Sequence, residues 1–259
     1  MSAIYLEKRI IHYETLGRGR PILFLHGWLG SWRYWVSAMQ ATTINFRSYA
    51  LDFWGFGDSS KDPGQYSCEA QTELIRDFIN QLGIGKVAVI GHGLGALIGL
   101  LFAEKYADLV DRIILVSLPG QEQGLLNEFE RSDLIQLTRR LIGDHEDLDA
   151  ILFEVSKTDP TAIQKIINEI QENNISRMLR DIEKPSLLVS GKNDPLISFP
   201  EKVDYSAMVH QITLDESGHF PMLQEKNKFN RLMVDFLTLP PKSSLQDLQL
   251  KEEWKRRVR

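Results

Sequence analysis

The stretch VIGHGLGALIG, residues 89–99, runs an apolar strand into Gly91-His92-Gly93-Leu94-Gly95 and on into a helix-forming segment. That is the setting of G-x-S-x-G, a sharp strand-to-helix turn that exposes a serine hydroxyl for attack on an acyl carbon. Here the central position holds Gly93, which carries no attacking atom. Three further segments carry residue types suited to the same chemistry: His26-Gly27-Trp28 in FLHGWLGSWRYW, Asp194 in SGKNDP and His219 in ESGHFPMLQE. Each directly follows a strand-like run, so the chain order is nucleophile position, acid, histidine. A histidine oriented by a carboxylate is a general base for water or for an acidic substrate proton. Asp194, standing before Pro195, also fits a plainer role as the start of a turn or the cap of a helix in FPEKVDYSAM.

The elements that must position these residues are legible as alternating periods. Strand-like runs recur at 21–27, 47–53, 86–92, 112–118, 185–191 and 209–215. Most are apolar on both faces, as parallel strands covered by helices on each side must be. Helix-period stretches fall at 67–83, 96–108 and 223–237. The alternation predicts an α/β fold with a mostly parallel central sheet, flanked by helices on right-handed crossovers. It stops after SLPG at 117–120, and from Leu125 to about Asp181 the pattern is helical throughout. An all-helical block between two strands of one sheet is expected as a cap above the strands' C-terminal edge, where ligands bind in open α/β sheets. The division expected is a first core part at 1–118, the cap insertion at 119–183, a second core part at 184–239 and a polar, basic tail at 240–259. That tail, which includes Lys255, Arg256, Arg257 and Arg259, reads as a solvated helix or as a docking segment for a protein partner.

Composition narrows the classes of function. Thirty basic against 35 acidic side chains in 259 residues give a net charge of −5, which offers no electrostatic footprint for nucleic acid. The apolar stretches fall short of the roughly 20 residues a membrane span needs, so no membrane insertion is expected. The N-terminal segment MSAIYLEKRIIHYETLG is broken by charges and reads as strands, not as a signal peptide. Cys68 is the single cysteine and cannot form an intramolecular disulfide, which fits a reducing, cytoplasmic compartment. No metal site or cofactor is expected, since His26 has no ligand-type partners at suitable spacing.

With these segments in order, and with DFWGFGDSS (52–60) similar to a D-x-x-G-x-G-x-S turn, the chain resembles the α/β-hydrolase superfamily. The likeness is to its esterase, epoxide-hydrolase and dehalogenase-like branch, and it spans about Ile4 to Leu239. The resemblance implies that His219 is the general base and Asp194 its orienting carboxylate. It also implies that the amides of Trp28 and Leu94 form an oxyanion hole, with Gly27 and His92 beside it. Gly93 departs from the pattern, supplying neither the serine of the esterases nor the aspartate of the epoxide-hydrolase and dehalogenase-like relatives. Ser117, at the family's alternative acid position, cannot supply a carboxylate. Ser31, in the loop after the oxyanion turn, could approach the site as an alternative hydroxyl, and Trp28, Trp32, Trp35 and Trp54 are candidates for core or for an apolar pocket wall. A small, largely apolar ligand of ester or acyl type is therefore expected, with ester hydrolysis through an acyl-enzyme weak or absent. A non-covalent His/Asp enzyme and a non-catalytic ligand-binding or sensing module are the competing readings.

Overall fold

The computed structural model of the chain describes residues 2–120, 127–129, 132–170, 172–197, 205–240 and 243–250. The strands are β1 (Ser2–Leu6), β2 (Arg9–Gly17), β3 (Arg20–Leu25), β4 (Phe46–Leu51), β5 (Val87–His92), β6 (Val110–Val116), β7 (Ser186–Gly191) and β8 (Val209–Leu214). They form one sheet in the order β1-β2-β4-β3-β5-β6-β7-β8. β1, β2 and β4 pair antiparallel, and every pair from β4 through β3 to β8 is parallel. The six apolar runs become the parallel strands, and β5 and β7 are buried along their whole length because helices cover both faces.

The helices of the core are α1 (Val36–Thr42), α2 (Cys68–Gln81) and α3 (Leu94–Lys105). Between β6 and β7 the described residues include α4 (Leu134–Ile142), α5 (Leu148–Ser156), α6 (Pro160–Ile170) and α7 (Ile175–Asp181). The chain closes with α8 (Pro221–Gln224) and α9 (Lys226–Thr238). α2 is amphipathic and starts at a Ser67 side chain that accepts the Ala70 amide, a standard N-cap. α3 is apolar all round and is buried against β5 and β6, so it is the central helix of the core. Gly95 permits that approach: a Cβ there would collide with the Leu25 and His26 carbonyls of the neighbouring strand and loop.

Because β3 to β8 run parallel, the loops after β3, β4, β5, β6, β7 and β8 all open at one edge of the sheet, and the residues singled out above lie in them. The inserted helices are fastened to these same loops. The Cys68 amide donates to Glu169 of α6 at 2.7 Å, Tyr66 donates to Asp159 at 2.8 Å, and Gln224 donates to the Leu141 carbonyl at 3.0 Å. Buried Glu154 of α5 pairs with Lys157 at 3.0 Å and lies 3.7 Å from Arg33.

The tail differs from a solvated helix over residues 243–250. Leu245 and Leu248 are buried, and His210 of edge strand β8 donates from Nε2 to the Leu248 carbonyl at 3.1 Å. The basic residues Lys255, Arg256, Arg257 and Arg259 lie outside the described residues.

A Gly95→Ala substitution is expected to abolish soluble, cooperatively folding protein, because backbone atoms cannot yield to the added methyl. Gly85→Ala, at a position with open space around it, should leave stability unchanged or raise it by about 0.4–1 kcal/mol. Urea denaturation of the two variants checks both.

Candidate functional site

β5 ends at His92 and α3 begins at Leu94, so Gly93 alone makes the turn between them. Its backbone, at φ +52° and ψ −111°, is one that an L-residue adopts only under strain of about 1–3 kcal/mol. The turn is secured by the Gly93 amide, which donates to the Val116 carbonyl at 2.9 Å. A side chain at this point would face the indole of Trp28: a Cβ would lie 3.2 Å and 3.3 Å from Trp28 Cζ3 and Cε3. Trp28 is almost completely buried and is covered in turn by Phe129, with ring centroids 5.7 Å apart.

The histidine and the acid come together as the chain order suggests. His219 Nδ1 and Asp194 Oδ2 are 2.9 Å apart, both side chains buried. The two carboxylate oxygens of Asp194 have separate partners. Oδ2 takes the imidazole while Oδ1 accepts the amides of Leu196 and Ile197 at 2.9 and 3.2 Å, starting the turn after β7. Burial works to raise the Asp194 pKa, but the charge and hydrogen bond of His219 and the two amides outweigh it and hold the carboxyl below its ordinary value.

On the other side, the loop after β3 is oriented by His26. Its Nε2 accepts the Phe53 amide at 3.0 Å, so Nδ1 carries the proton and donates to the Gly27 carbonyl at 2.7 Å. That carbonyl belongs to the same planar peptide as the Trp28 N–H, so fixing one direction fixes the other. The Leu94 amide is at the first position of α3, where helix N–H groups have no intrahelical partner. Gly27 also lies against His92, since a Cβ on it would meet the imidazole within 3.3 Å.

The remaining residues have structural partners. Ser31 Oγ caps the short helical turn Trp32–Trp35 by accepting the Arg33 amide at 3.3 Å. Trp35 is core, packed between Phe24 and Phe229, and Trp54 is buried with its backbone bonded to Gln71. Asp52 accepts from Trp32, Asp58 and His12, and Ser59 donates to the Asp52 carbonyl, so both hold the glycine turn. His12, Asp52 and Asp58 are the one group of metal-ligand type close enough to share an ion among the described residues. Their oxygens are already committed, Asp52 to three donors and Asp58 to Lys157 at 3.0 Å. The Cys68 thiol is pushed up to about 12 by burial and by Glu169, so it is no nucleophile despite its place at a helix start.

Two residues of the site escaped sequence reasoning. Tyr34, not singled out in the sequence, places its hydroxyl between the Gly27 amide and His92 Nδ1. Ser117, dismissed as a failed acid, donates its hydroxyl to the His219 carbonyl at 3.1 Å. Ser117 sits at φ +45°, an uncommon setting for a non-glycine residue and the kind of outlier that marks sites.

The model of the alpha/beta hydrolase fold family matches residues 20–152, more than half of the chain. The chain belongs to this family. Among curated relatives of this alpha/beta hydrolase, the soluble epoxide hydrolase of Corynebacterium sp. (strain C12) is 38% identical over 111 residues, covering 42% of this chain and 39% of that protein. The match therefore leaves most of that relative's length unpaired. The 2-hydroxy-6-oxo-6-(2'-aminophenyl)hexa-2,4-dienoic acid hydrolase of Metapseudomonas resinovorans is 22% identical over 254 residues, covering 87% of each chain. In solved structures the fold recurs in a Ser-to-Gly variant of the N-acyl homoserine lactonase AidH complexed with N-hexanoyl homoserine lactone, at TM-score 0.80 and 21% identity over 91% of this chain and 96% of that one. It recurs also in the enol-lactonase of Burkholderia xenovorans LB400, at TM-score 0.78 and 20% identity over 92% and 100%. No helix among the described residues of this alpha/beta hydrolase is long and apolar enough to cross a membrane.

A carboxyl held below its ordinary value stabilises the fold above the unfolded-state pKa, and that stability is lost as pH falls through the folded value. Asp194→Asn should therefore cost about 1.5–3 kcal/mol at neutral pH. The gap to wild type should close as pH falls below the ordinary carboxylate range, as read by urea denaturation across pH.

Proposed function

We propose that this chain binds a small, largely apolar carbonyl compound of ester, lactone or acyl type and acts on it without a covalent intermediate, with His219 as general base. The observation that carries the reading is an intact, buried His219–Asp194 pair beside a turn whose central residue, Gly93, has no side chain. His219 Nε2 would take a proton from water, the hydroxide would add to the carbonyl carbon, and the Trp28 and Leu94 amides would receive the negative oxygen. The proton then passes from His219 to the leaving oxygen as the bond to it breaks. In this reading α4 to α7 act as a cap that sets ligand size, with Trp28 and Phe129 as apolar wall.

Magnitudes favour this over an acyl-enzyme route. Loss of a triad serine costs about 10⁶ in turnover in the subtilisin case, with about 10³–10⁴ over water remaining from the rest of the site. General-base assistance contributes about 10²–10⁴. Activity on simple esters is thus expected to be weak, and substrates more reactive than esters are the better candidates. A lactonase of this fold whose Ser-to-Gly variant is complexed with N-hexanoyl homoserine lactone supports an acyl-type ligand for a glycine-bearing member. A single unpaired, buried Cys68 is in keeping with a cytoplasmic setting.

The packing of Trp28 on Gly93 favours a second reading, a non-catalytic ligand-binding or sensing module in which the indole closes the place of attack. Ligand-dependent rises in melting temperature with no turnover would favour it. A protein partner would then engage the tail beyond residue 250.

Two experiments decide between these. On a panel of activated lactones and esters, His219→Ala should lower turnover by about 10²–10⁴; equal rates for wild type and variant on every compound would overturn the general-base reading. Gly93→Ser alone should gain little ester hydrolysis, because its Cβ meets Trp28. Adding Trp28→Leu should raise ester hydrolysis on the order of 10²-fold over the single variant, since misplacement by about 1 Å costs that much. A silent double variant that folds would count against a retained base and oxyanion turn.

A further inference from the structure

In a serine triad the base is held at both ring nitrogens, by the carboxylate on Nδ1 and by the hydroxyl on Nε2. With Gly93 in the turn, only the Asp194 side of that grip remains for His219. Its main chain is gripped instead. The His219 carbonyl accepts from two buried side chains, His92 Nε2 at 2.8 Å and Ser117 Oγ at 3.1 Å.

The proton positions in this cluster follow from what each atom is able to do. A carbonyl only accepts, so His92 carries its proton on Nε2 and its Nδ1 is an acceptor. The Tyr34 hydroxyl, 3.1 Å from that Nδ1, must donate to it, and its oxygen in turn accepts the Gly27 amide. This pattern requires a neutral imidazole, and burial, with the neighbouring His219 charge, holds His92 well below the ordinary range. The donors therefore run in one direction, from Gly27 N–H through Tyr34 O–H and His92 to the His219 carbonyl, each bond polarising the next. Ser117 joins from the loop after β6, with its amide on the Val189 carbonyl at 2.8 Å. Its φ of +45° is rarely adopted by residues bearing a Cβ, and in that conformation its hydroxyl reaches the His219 carbonyl.

We infer that Ser117, His92 and Tyr34 are positioning residues that clamp the His219 backbone and so aim its imidazole, replacing the grip that a hydroxyl at position 93 would give. The inference rests on the general-base reading of His219 and extends it. Because Tyr34 also holds the amide of Gly27, one residue before Trp28, the clamp keeps base and oxyanion turn in one geometry.

The test uses the full chain with ¹⁵N-labelled histidine and follows the proton that His219 Nδ1 shares with Asp194. Ser117→Ala and Tyr34→Phe should each raise its exchange with solvent about three- to tenfold, the factor expected for losing one hydrogen bond. Tyr34→Phe should also shift the His92 Nδ1 resonance away from that of a hydrogen-bonded acceptor. Ser117→Gly removes the hydroxyl and relaxes the backbone, so it should match Ser117→Ala in exchange while melting at a higher temperature. Unchanged exchange in both Ser117→Ala and Tyr34→Phe, with only the melting temperature lowered, would reduce these residues to packing and overturn the inference. Should one variant fail to fold, the other carries the same readout. None of these signals requires turnover, so an inactive protein with the expected exchange would sink the general-base reading alone.

Discussion

The site depends on one hydrogen bond, from buried His219 Nδ1 to a buried carboxylate that must stay charged. An isolated carboxylate in such a place would be neutral or absent, because the cost of removing it from water exceeds what a single partner returns. Asp194 is tolerated because it is saturated: two amides on Oδ1 and the imidazole on Oδ2. Those partners come from the loops after β7 and β8, and they meet only because the two strands are parallel neighbours in register. The geometry of the pair is therefore a property of the sheet.

The second constraint is steric. At φ +52° the turn between β5 and α3 suits glycine, and the Trp28 indole rests close enough to leave little room for a Cβ. Gly93 and Trp28 thus fit each other, and a hydroxyl cannot simply be added at one without adjusting the other. The Trp28 indole lies against this turn, and the direction of the Trp28 N–H follows from the Gly27 carbonyl, which His26 holds.

Much of this was legible along the chain because the residues concerned sit directly after apolar runs, and runs apolar on both faces mark parallel strands. Gly93, Asp194, His219 and the His26-Gly27-Trp28 turn could be placed at one sheet edge from order alone. Helix α1 was missed: Val36–Thr42 is short, opens without a side-chain cap and follows a cluster of aromatic residues, so no period stands out. Tyr34 and Ser117 were missed for a different reason. Their partners lie 58 and 102 residues away, and nothing local in RYW or VSL announces a hydroxyl aimed at a distant loop. His92, expected beside the oxyanion turn, lies between the Tyr34 hydroxyl and the His219 carbonyl, a contact equally distant along the chain. Leu245 and Leu248 were hidden in a segment whose charge suggested solvent, yet they bury against β8.

The account stands or falls on whether any atom of the protein becomes bonded to the carbonyl carbon of its ligand. Intact-protein mass spectrometry during exposure to activated aryl esters and lactones measures this directly. An unchanged polypeptide mass at every time point, including while product accumulates, is the predicted result. An acyl adduct that forms on the unaltered protein and disappears in His219→Ala would contradict it.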